Sequence, residues 1–194
     1  MNYLAHCFLS CSDEDLMIGN IITDFMKKKE EKNYSGKVLE GIHLHRKIDT
    51  YTDSHSASLT LRKLLRKRHG KYASVVVDLV WDYMLCTNWN RYSITDIHSF
   101  AHPIYEILLK RKVELPASFS KKIEAMVRDD FLLSYSTTEK MRKSLQWMDQ
   151  RVNFPSDFEG AIIDVRENYG QIEDLFNQFF PDLISFVELN CKCD

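Results

Sequence analysis

Asp78 and Asp82 stand four residues apart inside the apolar run Val75-Val76-Val77-Asp78-Leu79-Val80-Trp81-Asp82-Tyr83-Met84-Leu85. On a helix that spacing puts both carboxylates on one face, one turn above the other. Their neighbours around that face are Ser74, Val75, Trp81, Leu85 and Trp89. An ionised carboxylate in such company is costly unless it is paired, hydrogen-bonded or bound to a cation, and two close together also repel. A divalent metal answers both problems. Buried ion pairs with Arg46 or Lys47 are the other solution.

Further donors cluster in the first half of the chain. His6 lies between Leu4, Phe8 and Leu9, and Asp24 lies in Ile21-Ile22-Thr23-Asp24-Phe25-Met26. His45, Asp49 and Asp53 recur every four residues and form one polar stripe on a helix. Imidazole with carboxylate is a hard-to-borderline donor set that suits Mn²⁺, Mg²⁺, Fe²⁺ or Zn²⁺, and no thiolate joins it to make a structural zinc site. Taken singly, each residue has an ordinary alternative: a hydrogen-bonded core histidine for His6, a cap or a partner of Arg46 for Asp24, a solvated face for Asp49 and Asp53. His98 and His102 are read as a surface pair or core filler. The chain has no Gly-rich phosphate loop and no Gly-x-Ser-x-Gly elbow. Cys7 adjoins His6, but neighbours on a helix point apart, so thiol catalysis is not expected.

Helices must hold these groups. Gly and Pro are scarce, at 6 and 4, and helical periodicity predicts helices over 3–10, 13–28, 36–52, 57–68, 72–88, 94–110, 117–133, 137–150 and 157–189, the last interrupted near Gly170 and again before Pro181. Ser12-Asp13-Glu14-Asp15 is a helix start, with a capping side chain followed by acids at the positive dipole end. Pro116 and Pro155 interrupt the pattern, but neither sits in a polar linker. The expectation is one all-α domain over residues 1–194.

Composition narrows the class. The 194 residues, 44% apolar and 28% charged with net charge −2, suit a globular protein and give no electrostatic case for nucleic acid. No apolar run approaches the roughly 20 residues that span a bilayer, and the N-terminus lacks a basic leader and cleavage pattern. Five cysteines without a regular framework read as reduced thiols, which points to the cytoplasm. Cys191-Lys192-Cys193 reads as a tail rather than a metal site.

Four blocks taken together are familiar: Met1-Asn2-Tyr3-Leu4-Ala5-His6; Gly19-Asn20-Ile21-Ile22-Thr23-Asp24-Phe25; Gly41-Ile42-His43-Leu44-His45-Arg46-Lys47-Ile48-Asp49 with Thr52-Asp53; and Asp78-Leu79-Val80-Trp81-Asp82-Tyr83-Met84-Leu85 with Asn88-Trp89. In order and spacing they resemble the acyl carrier protein phosphodiesterase family over about the first ninety residues. The resemblance implies a helical, HD-domain-like phosphodiesterase bundle. It implies a hydrolase of lipid metabolism and fatty acid biosynthesis, cleaving the phosphodiester that joins 4′-phosphopantetheine to a serine of holo-acyl carrier protein. A divalent cation, Mn²⁺ or Mg²⁺, is the implied cofactor. Position by position, it implies His6, Asp24, His45, Asp49, Asp78 and Asp82 as the polar set. The family pattern commonly reads Asp-His where this chain has Asp82-Tyr83; if that histidine is a ligand or an acid, activity here is altered or lost.

On this reading His6, Asp24, His45 and Asp78 supply most ligands to one or two cations, Asp82 or Asp49 completes the shell or orients the nucleophilic water as a base, and Asp24, Asp82 and Arg46 are the catalytic candidates. The Arg46 fork would pair with a phosphate oxygen, and Tyr83 would be a poor proton donor. The run Arg62-Lys63-Leu64-Leu65-Arg66-Lys67-Arg68-His69-Gly70-Lys71 turns its leucines inward and its cations outward. Arg62, Lys63, Arg66, Lys67 and Arg68 are therefore candidates for docking an acidic carrier protein, the ordinary alternative being a solvated helix end. A phosphohydrolase of a small phosphoester or nucleotide, and an inactive carrier-protein-binding relative, are the competing functions.

Overall fold

A computed structural model describes residues 3–152 and 156–191; the interruption read at Pro155 and the residues from 192 onward lie outside them. Ten α-helices follow in order: α1 (Tyr3–Phe8), α2 (Glu14–Ile22), α3 (Gly36–Ser54), α4 (Ser56–His69), α5 (Ala73–Thr87), α6 (Ile97–Arg111), α7 (Ala117–Arg128), α8 (Thr138–Asp149), α9 (Ala161–Glu167) and α10 (Tyr169–Asn190). Short 3₁₀ turns link several of them, and no strand occurs among the described residues. The protein is all-α, as the periodicity requires. Asp13 caps α2 as expected, accepting from Leu16 N at 2.9 Å, and Asp96, inside the helix predicted from residue 94, instead caps its start by accepting from His98 N and Ser99 N. Gly70, at φ +51°, closes α4.

Three predicted helices are broken or joined differently. The one expected over 13–28 stops at Ile22, and Thr23–Phe25 form a 3₁₀ turn before an extended Met26. Ile21, Ile22 and Thr23 are all β-branched, and Thr23 Oγ1 bonds back to the Gly19 carbonyl at 2.8 Å, which disfavours further α-helix. The helix expected to reach Leu133 ends at Arg128, because Asp130 turns left-handed at φ 48°. The last stretch divides at Asn168, beside the expected break at Gly170, but Pro181 stays inside α10. Phe176, Phe179, Phe180 and Leu183 are all fully buried around that proline. At about 1.5–3 kcal/mol for each large apolar side chain, their packing outweighs the roughly 3 kcal/mol that an interior proline costs.

Two contacts set the frame of the site. Trp81 of α5 stacks on Phe179 of α10, with centroids 5.2 Å apart, and donates from Nε1 to Ser58 Oγ of α4 at 3.0 Å. Helices α2 and α3 cross at Gly19 and Gly41, where backbone meets backbone: a Cβ on Gly19 would lie 2.0 Å from Val38 O, and one on Gly41 would lie 2.1 Å from Leu16 O. Only glycine allows that approach.

Cys7, Cys86 and Cys191 are free thiols, and burial pushes the Cys7 thiol well up, which leaves it inert. Cys11 is disulfide-bonded, which corrects the reading of all five as reduced; packing the end of α10 against the α1–α2 loop puts Cys191 Sγ 3.5 Å from its sulfur. No helix among the described residues is long and apolar enough to cross a membrane.

Candidate metal centre

Helices α1 and α3 each contribute one imidazole, and the two rings stack. Their centroids are 4.1 Å apart and their planes 12° from parallel. His6 is fully buried and His45 nearly so. Asp49, one turn along α3 from His45, reaches both: Oδ2 lies 3.1 Å from His45 Nε2 and Oδ1 3.3 Å from His6 Nε2. Asp24, carried by the 3₁₀ turn after α2, places Oδ1 3.2 Å from His45 Nε2. Asp53, one turn beyond Asp49, and Asp78 of α5 complete a cavity of about 280 Å³ lined by Asp24, His45, Asp49, Asp53 and Asp78.

The donors fit a divalent cation. One ligand atom from each of His6, His45 and Asp49 lies within 4.8 Å of the others, and two imidazole nitrogens with a carboxylate oxygen are ordinary ligands for such an ion. Buried His6 Nε2 has no hydrogen bond of good geometry, and a group in that state wants a partner.

Electrostatics separates the two rings. Burial lowers the pKa of His6. Burial acts in the same direction on His45, but its hydrogen bonds to Asp24 and Asp49 prevail and raise it to about 9. Burial would raise the Asp49 carboxyl too, yet the His45 hydrogen bond and the adjacent His6 imidazole hold it well below the usual range. Burial, with Asp49 and Asp53 adding repulsion, moves Asp78 upward.

A pH dependence follows. A cation must displace the His45 proton, so apparent Mn²⁺ affinity is expected to rise about tenfold per pH unit up to about pH 9 and then level off. Folding stability of the metal-free protein runs the other way. The raised pKa stabilises the fold below about 6.5, the unfolded value, and that contribution is lost as pH climbs through about 9. Calorimetric titrations and melts across this window check both slopes; a flat affinity profile would contradict the assignment of His45.

The sequence candidates divide. His6, Asp24, His45, Asp49 and Asp78 converge. Asp82, though fully buried on α5, is not among the cavity-lining residues. Its charge is felt by Cys86 and Tyr135, whose pKa values are raised first by burial and then by this carboxylate. Arg46 follows His45 by about 100° around the helix; its Nη1 donates to Glu31 Oε2 at 2.6 Å and it lines a different cavity with Tyr51 and Phe186. Tyr83 packs against the apolar core and does not line the cavity. His98 and His102 are exposed. In the basic run, Arg68 bonds through Nε to both Asp164 oxygens at 3.1 Å and through Nη1 to Asp157 at 3.2 Å. Arg62, Lys63, Arg66 and Lys67 form no ion pair among the described residues.

Sequence reasoning missed two contributors. Asn20 bonds both histidines; as a buried polar residue inside a quoted motif it was visible, but its partners were not. Tyr3 stands beside Asp24, where burial and that carboxylate push its phenol upward.

An all-α chain that turns His45 and four carboxylates toward one cavity, with His6 stacked behind His45 and close enough to share a ligand sphere with it and Asp49, has the donor chemistry that suits a divalent cation. Residues 1–183 match the family model described as acyl carrier protein phosphodiesterase, and the chain belongs to that family. It is 28% identical over 189 residues to the acyl carrier protein phosphodiesterase of Photorhabdus laumondii, covering 97% of this chain and 96% of that one. It is 27% identical to the protein of that name from Serratia proteamaculans over 95% and 96% of the two chains, and 25% identical to that from Escherichia coli O157:H7 over the same shares. No solved structure matches the chain significantly.

Proposed function

We propose that the protein hydrolyses the phosphodiester linking 4′-phosphopantetheine to the serine of holo-acyl carrier protein, releasing apo-carrier protein. The observation that carries this reading is the convergence of His6, His45 and Asp49 within 4.8 Å in a chain matching that family over 183 residues. His6, His45 and Asp49 would hold a divalent cation, Mn²⁺ or Mg²⁺, with Asp24 and Asp78 beside them. When bound, such an ion lowers the pKa of water and offsets charge on phosphodiester oxygens. The chain's own groups do the rest. Asp49 braces both imidazoles, and Asp24, half exposed at the mouth, can accept a hydrogen bond from the attacking water and orient it. Arg46, outside the cavity, is engaged by Glu31, so no step on the substrate is assigned to it. We propose a cytoplasmic location for this activity.

Mass spectrometry of holo-carrier protein incubated with the purified protein and Mn²⁺ tests the proposal. The expected product is carrier protein lighter by one phosphopantetheine group, with EDTA suppressing the loss. A carrier protein of unchanged mass, while a small phosphodiester is cleaved, would shift the assignment to small phosphoesters; binding without any turnover would mark an inactive relative.

Arg62, Lys63, Arg66 and Lys67 on α4 are the proposed docking surface for the acidic carrier protein. Arg68 is excluded because it is committed to Asp157 and Asp164. Reversing Arg66 and Lys67 to glutamate is expected to raise KM about tenfold and flatten its salt dependence while leaving kcat near the parent value. Unchanged KM in low salt would remove this face from the interaction.

A further inference from the structure

One uncharged residue ties the two imidazoles together. Asn20 is fully buried in the last turn of α2, and it touches His6 through its side chain and His45 through its main chain. Nothing in its chemistry binds a hard cation strongly in this pose, because each of its polar atoms is already engaged. We propose that Asn20 is a positioning residue that locks both histidines as Nδ1–H tautomers and so aims both Nε2 lone pairs at the same ion; this rests on reading the cavity as a metal centre.

The assignment follows from groups that can only accept. The main-chain carbonyl of His6 is such a group, and Asn20 Nδ2 lies 3.0 Å from it. The amide nitrogen must therefore be the atom facing that carbonyl. The same nitrogen donates to Ser10 Oγ at 3.1 Å, while Ser10 spends its own proton on His6 O at 2.6 Å. With the amide so oriented, Asn20 Oδ1 faces His6 Nδ1 at 2.8 Å. An amide oxygen can only accept, so Nδ1 carries the proton. His45 is settled by another accept-only group, the Asn20 carbonyl, 2.7 Å from His45 Nδ1. That carbonyl belongs to the final turn of α2, where carbonyls lack partners along the helix, and it reaches α3 because Gly19 and Gly41 let the two backbones touch. In both rings the outward nitrogen is then Nε2, the atom that meets Asp49.

The side-chain residue types are tightly constrained. Aspartate keeps the acceptor for His6 but has no amide to hold against the His6 carbonyl. Alanine keeps only the main-chain bond to His45. The two histidines should therefore respond differently to one substitution, which a general loss of packing would not produce.

The test uses the full chain with ¹⁵N-labelled histidine. In the metal-free parent, both His6 and His45 are expected to show a downfield, slowly exchanging Nδ1–H resonance. In Asn20→Ala the His6 resonance should vanish while that of His45 persists, and Mn²⁺ affinity measured by calorimetry should fall about 10- to 100-fold, the usual effect of removing a hydrogen-bond partner behind a metal-bound histidine. Asn20→Asp should restore the His6 resonance and most of the affinity. A Mn²⁺ affinity in Asn20→Ala within twofold of the parent overturns the assignment, as does loss of both resonances together. Should Asn20→Ala fail to fold, Ser10→Ala removes the second acceptor for the amide while leaving the Asn20 side chain in place. Because it also removes the hydroxyl that donates to the His6 carbonyl, it is expected to broaden the His6 resonance but not that of His45 and to weaken Mn²⁺ about threefold, and an unchanged spectrum and affinity would count equally against Asn20. Neither readout involves carrier protein, so a wrong substrate leaves the result interpretable.

Discussion

Replacing His45 with alanine is expected to remove Mn²⁺ binding and carrier-protein hydrolysis together, by well over the roughly 100-fold that marks loss of an outer hydrogen-bond partner. His45 is the hub of the site. Its Nε2 lies 3.1 Å from Asp49 and 3.2 Å from Asp24, its ring covers His6 at 4.1 Å, and its Nδ1 is anchored on the Asn20 carbonyl at 2.7 Å. Without it, Asp24 and Asp49 lose the imidazolium that holds their pKa values down, and the stacked face of His6 opens onto a void. His45→Gln keeps a polar group of similar length but no imidazole nitrogen, and should bind Mn²⁺ almost as poorly. Calorimetry with Mn²⁺ alone and the phosphopantetheine-release assay report separately on the two losses. Parent-like affinity in both variants would mean that this pair of helices does not hold the ion.

The second large effect lies away from any ligand. Gly41→Ala would put a Cβ 2.1 Å from Leu16 O and 3.0 Å from Asn20 N. Both neighbours are backbone, so no rotamer change relieves the clash and α2 must move off α3. Overpacking of this kind costs about 3 kcal/mol, which for a chain of this size lowers Tm by about 6–12 °C. The same movement carries the Asn20 carbonyl away from His45, so Mn²⁺ affinity should fall alongside stability. Gly170→Ala is the control. Nothing lies within 4 Å of a Cβ there, and an alanine near the start of α10 should leave Tm unchanged or raise it slightly. If Gly41→Ala melts with the parent, the close crossing of α2 and α3 is not what holds the site.

The stripe His45, Asp49, Asp53 shows how far spacing reaches. A four-residue repeat on one helix is a local relation, and α3 presents all three to one cavity. The identical spacing of Asp78 and Asp82 reaches less far, because a shared face extends along the axis and meets different neighbours at each turn: Asp78 lines the cavity, whereas Asp82, about 6 Å further on, lies close enough to Cys86 and Tyr135 to raise their pKa values. Arg46 stands away from the cavity for the complementary reason. Being next to His45 in the chain puts it on another side of α3, against Glu31.

Residue types and their periods by themselves determined that this chain is helical, that acids and imidazoles lie in apolar surroundings, and that His45 and Asp49 act as neighbours, because each of these depends on steps of one helical turn. Only the tertiary structure decided that His6 stacks on His45, that Asn20 serves both, and that Asp82 and Arg46 stand apart. Those relations join separate helices, α1, α2, α3 and α5, and the α2–α3 part of them is set by how closely two glycines let helices approach, a quantity that no spacing along a single helix contains.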